Sequence, residues 1–137
     1  MTLPFGTTRL LIGGSWRVAR APLPVEDPST GAEVGRIARG DASDVDAAVR
    51  AARTALDGEW GALTAAERGR RLHEAGRLVR ARVDELAALE ALDVGKPLSQ
   101  ARADAVALAR YLEFYGGAAD KLHGETIPFL ADYTVYT

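Results

Sequence analysis

The chain has 137 residues, a formal net charge of −2 and no cysteine. A charge so near neutrality argues against nucleic acid or an anionic membrane surface as the main partner, and without cysteine there are no disulfides, thiolate metal sites or thiol nucleophiles within these residues. The longest apolar runs are too short to cross a bilayer, and Met1–Arg9 lacks the charged and then apolar segments of a secretory signal, so a cytoplasmic location is expected.

Residues 1–8 read as a loose terminus. Arg9–Ile12 is apolar, Gly13-Gly14 is a tight-turn dipeptide and Ser15–Val18 continues beyond it, which predicts a small hairpin. Pro22 and Pro24 favour extended backbone at a sheet edge. Asp27-Pro28-Ser29-Thr30-Gly31 is built from residues that bond their own backbone or accept unusual dihedrals, so it predicts a turn, with Val34–Ala38 as the returning strand. Residues 9–38 together read as a β-ribbon.

Helical periodicity follows. Ser43 reads as the opening of the first helix, with Asp44 and Asp46 suited to its first turn and Val45, Val49, Ala52 and Leu56 as its apolar stripe; Gly58 ends it. Thr64 and Glu67 have the spacing of a capping box. The run after them carries Leu72, Ala75, Val79, Val83, Leu86 and Leu89, and its length predicts a break near 82–84, with Asp84 capping a new segment. Its many arginines read as a solvated face with local acidic partners. Gly95 and Pro97 end that run, and Ser99 reads as the N-cap of a third helix whose stripe is Ala101, Ala105, Leu108, Leu112, Tyr115, Ala119 and Leu122. Gly124 is the expected stop, with Lys121 and His123 favourably placed near the carbonyl end. The helical layer therefore spans 43–124. Tyr133–Thr137 is β-branched and aromatic and reads as a strand without a partner; residues 132–137 would be the start of an oligomerisation strand. A strand without turn or cap at that point suggests a truncated or split product. By pattern alone the chain looks α+β.

Candidate chemistry is sparse. Gly95-Lys96 fails as a phosphate loop, because position 90 is Glu, position 97 is Pro, and proline prevents a helix directly after the lysine. Lys96 reads instead as a surface lysine at a helix stop. His73 and His123 have no convergent ligands for a metal and read as packing or capping residues. No G-x-S-x-G occurs. Gly116-Gly117 lies inside a helical period and suits close helix packing better than a dinucleotide turn.

Four segments occur in order: Leu11-Ile12-Gly13-Gly14-Ser15-Trp16, Asp27-Pro28-Ser29-Thr30-Gly31, Asp93-Val94-Gly95-Lys96-Pro97 and Phe114 through Pro128, FYGGAADKLHGETIP. They resemble the N-terminal part of the aldehyde dehydrogenase superfamily, with Asp27 where Asn is more common. The resemblance implies an α/β fold of which residues 1–137 are an incomplete N-terminal part of the cofactor-binding domain, a β-ribbon and three or more helices that would pack on a Rossmann-like sheet not in this chain. It implies an oxidoreductase that converts an aldehyde to a carboxylic acid with NAD or NADP, by cysteine covalent catalysis and oxyanion stabilisation. No residue here matches the nucleophile, the base, the oxyanion asparagine or a cofactor contact, so no catalytic and no cofactor-binding residue is assigned and the chain alone is expected to be inactive. The resemblance further implies a monovalent cation held by the backbone at Val25, with Glu26 adjacent, and by Asp104. It also implies a homo-oligomer, dimer or tetramer, built through the terminal strand. The alternative is a non-catalytic binding or assembly module derived from the same superfamily.

Overall fold

The computed structural model describes residues 9–137, so the terminus expected to be loose at 1–8 lies outside the described residues. Strands β1 (Arg9–Ile12) and β2 (Ser15–Val18) form an antiparallel hairpin. Gly13 and Gly14 turn it with φ of 59° and 76°, the two positive values that a two-residue turn of matching twist requires. The Arg9 guanidinium lies 5.4 Å from the centroid of the Trp16 ring, a cation–π placement. Strands β3 (Ala21–Glu26) and β4 (Glu33–Arg39) form a second antiparallel pair with a bulge at Val25/Glu26. Both prolines of β3 fit because this sheet has two strands only, leaving one edge of β3 outside the ladder.

The turn between β3 and β4 is an Asx turn. Asp27 accepts from the Ser29 amide at 2.8 Å and from the Thr30 hydroxyl at 3.1 Å, and its carbonyl accepts from the Gly31 amide at 2.7 Å. The Ser29 amide bond, foremost, holds the Asp27 carboxyl below its ordinary pKa.

Helix α1 (Ala42–Asp57) is capped by Asp41 rather than Ser43. The Asp41 carboxylate accepts from the amides of Ser43 and Asp44 at 2.8 and 3.1 Å, while Asp44 returns a bond to the Asp41 amide. A carboxylate is the stronger acceptor at a positive helix end, and the Ser43 hydroxyl donates to it instead, at 2.6 Å. The expected stripe of α1 faces outward: Val45, Val49 and Leu56 are all exposed. The half-buried positions are Asp44, Ala47 and Ala51, on the side that meets β1. A one-turn helix α2 (Glu59–Ala62), with no signal in the sequence, bridges to α3 (Ala65–Ala81). Thr64 and Glu67 form the predicted capping box.

The break predicted near 82–84 lies at Arg82, with α4 spanning Val83–Val94. Asp84 is not its cap; it sits in the first turn and pairs with Arg102 at 2.9 Å. Helix α5 (Leu98–Ala118) starts from Pro97, whose fixed φ of −56° and extended ψ already aim its carbonyl at the amides of Gln100 and Ala101. Ser99 is therefore inside the first turn and caps nothing. The helix stops at Ala118, ahead of Gly124, where Lys121 Nζ reaches back to the Gly117 carbonyl at 2.7 Å.

The core lies where α5 packs on α3 and α4. Its buried positions on α5 are Ala101, Ala105, Ala109 and Gly116, facing Gly69 and Gly76 of α3 and Val83 and Ala87 of α4. The sequence stripe included the first two alanines but also Leu108 and Tyr115, which are exposed, and Leu122, which lies beyond the helix. The smallest residues win because the backbones touch: a Cβ on Gly69 would overlap the Gly116 carbonyl oxygen, and one on Gly76 would come within 3.0 Å of the Ala109 oxygen. Arg77, Arg80 and Arg82 pair with Glu74, Glu113 and Glu85, so the basic face has the acidic partners the sequence offered.

The terminal run is not unpartnered. Strand β6 (Val135–Tyr136) pairs antiparallel with β5 (Thr126–Ile127), and the Glu125 amide donates to the Thr137 hydroxyl at 3.0 Å. The sequence reading missed this because a two-residue strand beside Pro128 carries no periodicity.

Candidate functional site

A cavity of about 610 Å³ opens between the second ribbon and helices α4 and α5. Val25 and Ile37 come from β3 and β4, Leu86 and Leu89 from α4, and Ala105 and Leu108 from α5. Glu90, Asp93 and Asp104 add carboxylates to an otherwise apolar wall. Val25 and Asp104, the two positions that the resemblance implies for a cation, both line this cavity, with Val25 at the strand bulge.

Lys96 dominates the electrostatics beside it. Its ammonium donates to Asp104 Oδ2 at 2.7 Å and to Glu90 Oε1 at 2.5 Å. The side chain is about one-quarter exposed, at 26%. The Asp104 carboxylate first, and Glu90 after it, raise the Lys96 pKa above its ordinary value by favouring the charged form. The bridge ties the last turn of α4 to the second turn of α5 across the Gly95 reversal. The sequence reading of Lys96 as a surface lysine missed this role. Its only available signal was a lysine six residues after one carboxylate and eight before another, and that spacing becomes a contact only once the glycine turn folds the two helices together.

The Gly95 reversal also joins two of the sequence motifs. Gly95 has φ of 70°, and a Cβ there would stand 2.7 Å from Pro28 Cγ and 3.7 Å from Ser29 Oγ. The Asx turn thus seats directly on the end of α4. His73 packs along the α3–α5 crossing, its Cδ2 at 3.0 Å from the position of a Cβ on Gly116. Among the described residues no group of three or more histidine, aspartate or glutamate side chains converges on a metal position. Among the described residues no helix is long and apolar enough to cross a membrane.

Chemically, the cavity offers two carboxylates held by one ammonium, a third carboxylate and a strand bulge. Its carboxylates outnumber the one ammonium, so the wall is acidic, and the sequence supplies no cysteine nucleophile.

The sequence model of the aldehyde dehydrogenase family matches residues 16–137. Aldehyde dehydrogenase family 2 member B4, mitochondrial, of Arabidopsis thaliana is 43% identical over 134 residues, which is 95% of this chain and 25% of the relative. Human mitochondrial aldehyde dehydrogenase is 40% identical over 94% of this chain and 26% of its own length. A solved Burkholderia cenocepacia protein described as an aldehyde dehydrogenase superposes with a TM-score of 0.85 at 57% identity, over 92% of this chain and 27% of that one. The NAD+ complex of a Bacillus cereus aldehyde dehydrogenase superposes with a TM-score of 0.85 at 34% identity, over 93% and 27%. The chain spans about a quarter of the length of the relatives it matches, so the ribbon and helical layer constitute a partial aldehyde dehydrogenase fold. With the family model matched across most of its length and these structures superposed on nearly all of it, this chain belongs to the aldehyde dehydrogenase family.

Proposed function

We propose that this chain is the scaffold portion of an NAD(P)-dependent aldehyde dehydrogenase that oxidises an aldehyde to a carboxylic acid, and that it carries none of the reacting groups itself. The observation behind this reading is a helical layer matching that of aldehyde dehydrogenases in a chain that has no cysteine. NAD or NADP would accept hydride in the complete fold. These residues would position the layer on which the cofactor-binding sheet rests. In this reading residues 1–137 form an incomplete N-terminal part of the cofactor-binding domain, with a homo-oligomer assembled through the segment containing β6 and a cytoplasmic location. The Arabidopsis and human relatives carry mitochondrial names, and recovery of this protein in an organelle fraction would contradict the cytoplasmic part of the reading.

The test is a chimera in which this chain replaces the superposed quarter of the Bacillus cereus enzyme. Aldehyde-dependent NAD reduction within an order of magnitude of the parent is expected. A soluble chimera without turnover would overturn the reading.

The second part of the proposal is a monovalent cation between the Val25 backbone and Asp104. The donor set suits a hard cation, and both residues line one cavity. Lys96 already balances Asp104, so the cation must share that carboxylate with the ammonium. Thermal melts should rise in potassium or sodium relative to tetramethylammonium at equal ionic strength, and Asp104→Asn should remove the difference. Identical melts in all three salts would contradict the cation.

A further inference from the structure

Lys96 has the geometry of a tethered counter-ion. It follows Gly95 at the α4–α5 reversal, and its side chain carries one ammonium to carboxylates on two different helices. Glu90 Oε1 on α4 lies 2.5 Å away and Asp104 Oδ2 on α5 lies 2.7 Å away. The two partners differ in setting: the Glu90 side chain is 35% exposed and the Asp104 side chain 57%. An ammonium has three N–H donors, so it can give up Asp104 and keep Glu90, the more enclosed partner. It then stays beside the cavity rather than in bulk water.

A monovalent cation between the Val25 backbone and Asp104 would draw on the carboxylate that Lys96 already uses, and the two positive charges would repel. Two roles for Lys96 therefore give opposite signs. As a strut that only holds α4 to α5, its loss would loosen the cavity and weaken cation binding. As a competitor, its loss would strengthen it. The reversal does not depend on such a strut. The Gly95 amide donates to the Ala91 carbonyl at 3.0 Å, and the Pro97 carbonyl accepts from the amides of Gln100 and Ala101 at 2.9 and 3.1 Å. Arg102 and Asp84 tie the same two helices at 2.9 Å, and Ala87, Ala101 and Ala105 are buried on α4 and α5.

We infer that Lys96 is a tethered competitor that lowers the affinity of the Val25–Asp104 position for a monovalent cation, with Glu90 as the berth that holds the ammonium when the cation takes Asp104. This rests on the cation reading above. The test is a thermal-melt titration of the chain with potassium chloride, at one neutral pH and with ionic strength held constant by tetramethylammonium chloride. Sodium-23 line broadening, measured alongside, reads binding without reference to stability. Lys96→Met should lower the half-saturating potassium concentration by about ten-fold or more, since one full positive charge beside the shared carboxylate is removed. Lys96→Arg, which keeps the charge, should stay close to the parent. Glu90→Gln leaves the ammonium on Asp104 alone and should raise the half-saturating concentration several-fold, which tests the same competition with the lysine in place. Lys96→Met combined with Asp104→Asn should show no response to either cation.

A Lys96→Met response equal to or weaker than the parent's would overturn the competitor and leave the cation reading standing, as would tighter binding in Glu90→Gln. No response to potassium or sodium in the parent and in Lys96→Met alike would overturn both.

Discussion

At Gly95 the chain enters the left-handed region with φ of 70°, while Pro28 occupies the space a side chain would need. Both facts penalise any other residue. Gly95→Ala should lower stability by roughly 1–3 kcal/mol, the usual cost of a non-glycine residue held in that region, read as a lowered midpoint in urea. An unchanged midpoint would mean that the Asx turn moves away freely. The glycine was legible in the sequence as a helix stop, but its second constraint was not, because Pro28 is distant along the chain.

Charged residues give the pH dependence. The Ser43 hydroxyl, then the Asp44 amide, depress the Asp41 pKa. That contribution is fully present above the ordinary value of 3.8 and is lost as pH falls through the depressed folded value. Lys96 is raised by Asp104 and Glu90, so its contribution is fully present below 10.5 and is lost as pH rises through the raised folded value. Stability against urea should therefore be flat in between and fall on both sides. Asp41→Asn keeps the cap acceptor and should reduce the acid-side loss only in part, because Asp27 and Glu67 are also depressed. Lys96→Met should remove the Lys96 share of the alkaline-side loss. A Lys96→Met profile that changes on the acid side alone would contradict the bridge.

Among the elements, the α3–α5 crossing decides the core. Apolar periodicity located both helices, yet on α5 it weighted bulk, and the buried face is selected for smallness. Close approach of two backbones leaves no periodic signal beyond its glycines: the expectation that Gly116 serves close helix packing holds, whereas its partners Gly69 and Gly76 went unread. Gly69→Ala should cost about 1–3 kcal/mol, because overpacking against a backbone carbonyl cannot be relieved by a rotamer change. A Gly117→Ala control should cost less, since a Cβ there meets only His73 Nε2 at 3.9 Å. Equal losses would show that the crossing is looser than its geometry. The exposed Arg80–Glu113 pair that links the same helices contributes about 0–1 kcal/mol and is secondary. Caps show the same division. Thr64 and Glu67 were readable because the box is local, whereas Asp41 displaced Ser43 through a difference in acceptor strength that spacing does not encode.

At the scale of the molecule, the buried apolar residues among those described are Ile12, Val83, Ala87, Ala101, Ala105 and Ala109, while Val45, Val49, Leu56, Leu108 and Phe114 stay exposed. Stripes that look like core in the sequence are thus surfaces awaiting cover. The isolated chain should elute from size-exclusion chromatography as oligomers or be poorly soluble. A sharp, concentration-independent monomer would refute this. The partial fold was legible through four ordered motifs, two of which, at Pro28 and Gly95, prove to be in contact. The Val25–Asp104 pair was legible only through resemblance, and Lys96 was missed because its partners converge only after the α4–α5 turn forms.

The most direct measurement is nicotinamide reduction by the isolated 137-residue chain, with NAD and with NADP, across a panel of aldehydes. With the chemistry proposed to lie outside these residues, the blank rate is expected in every case. Turnover that scales with protein concentration would contradict it, since a nucleophile other than cysteine would then have to lie within this chain.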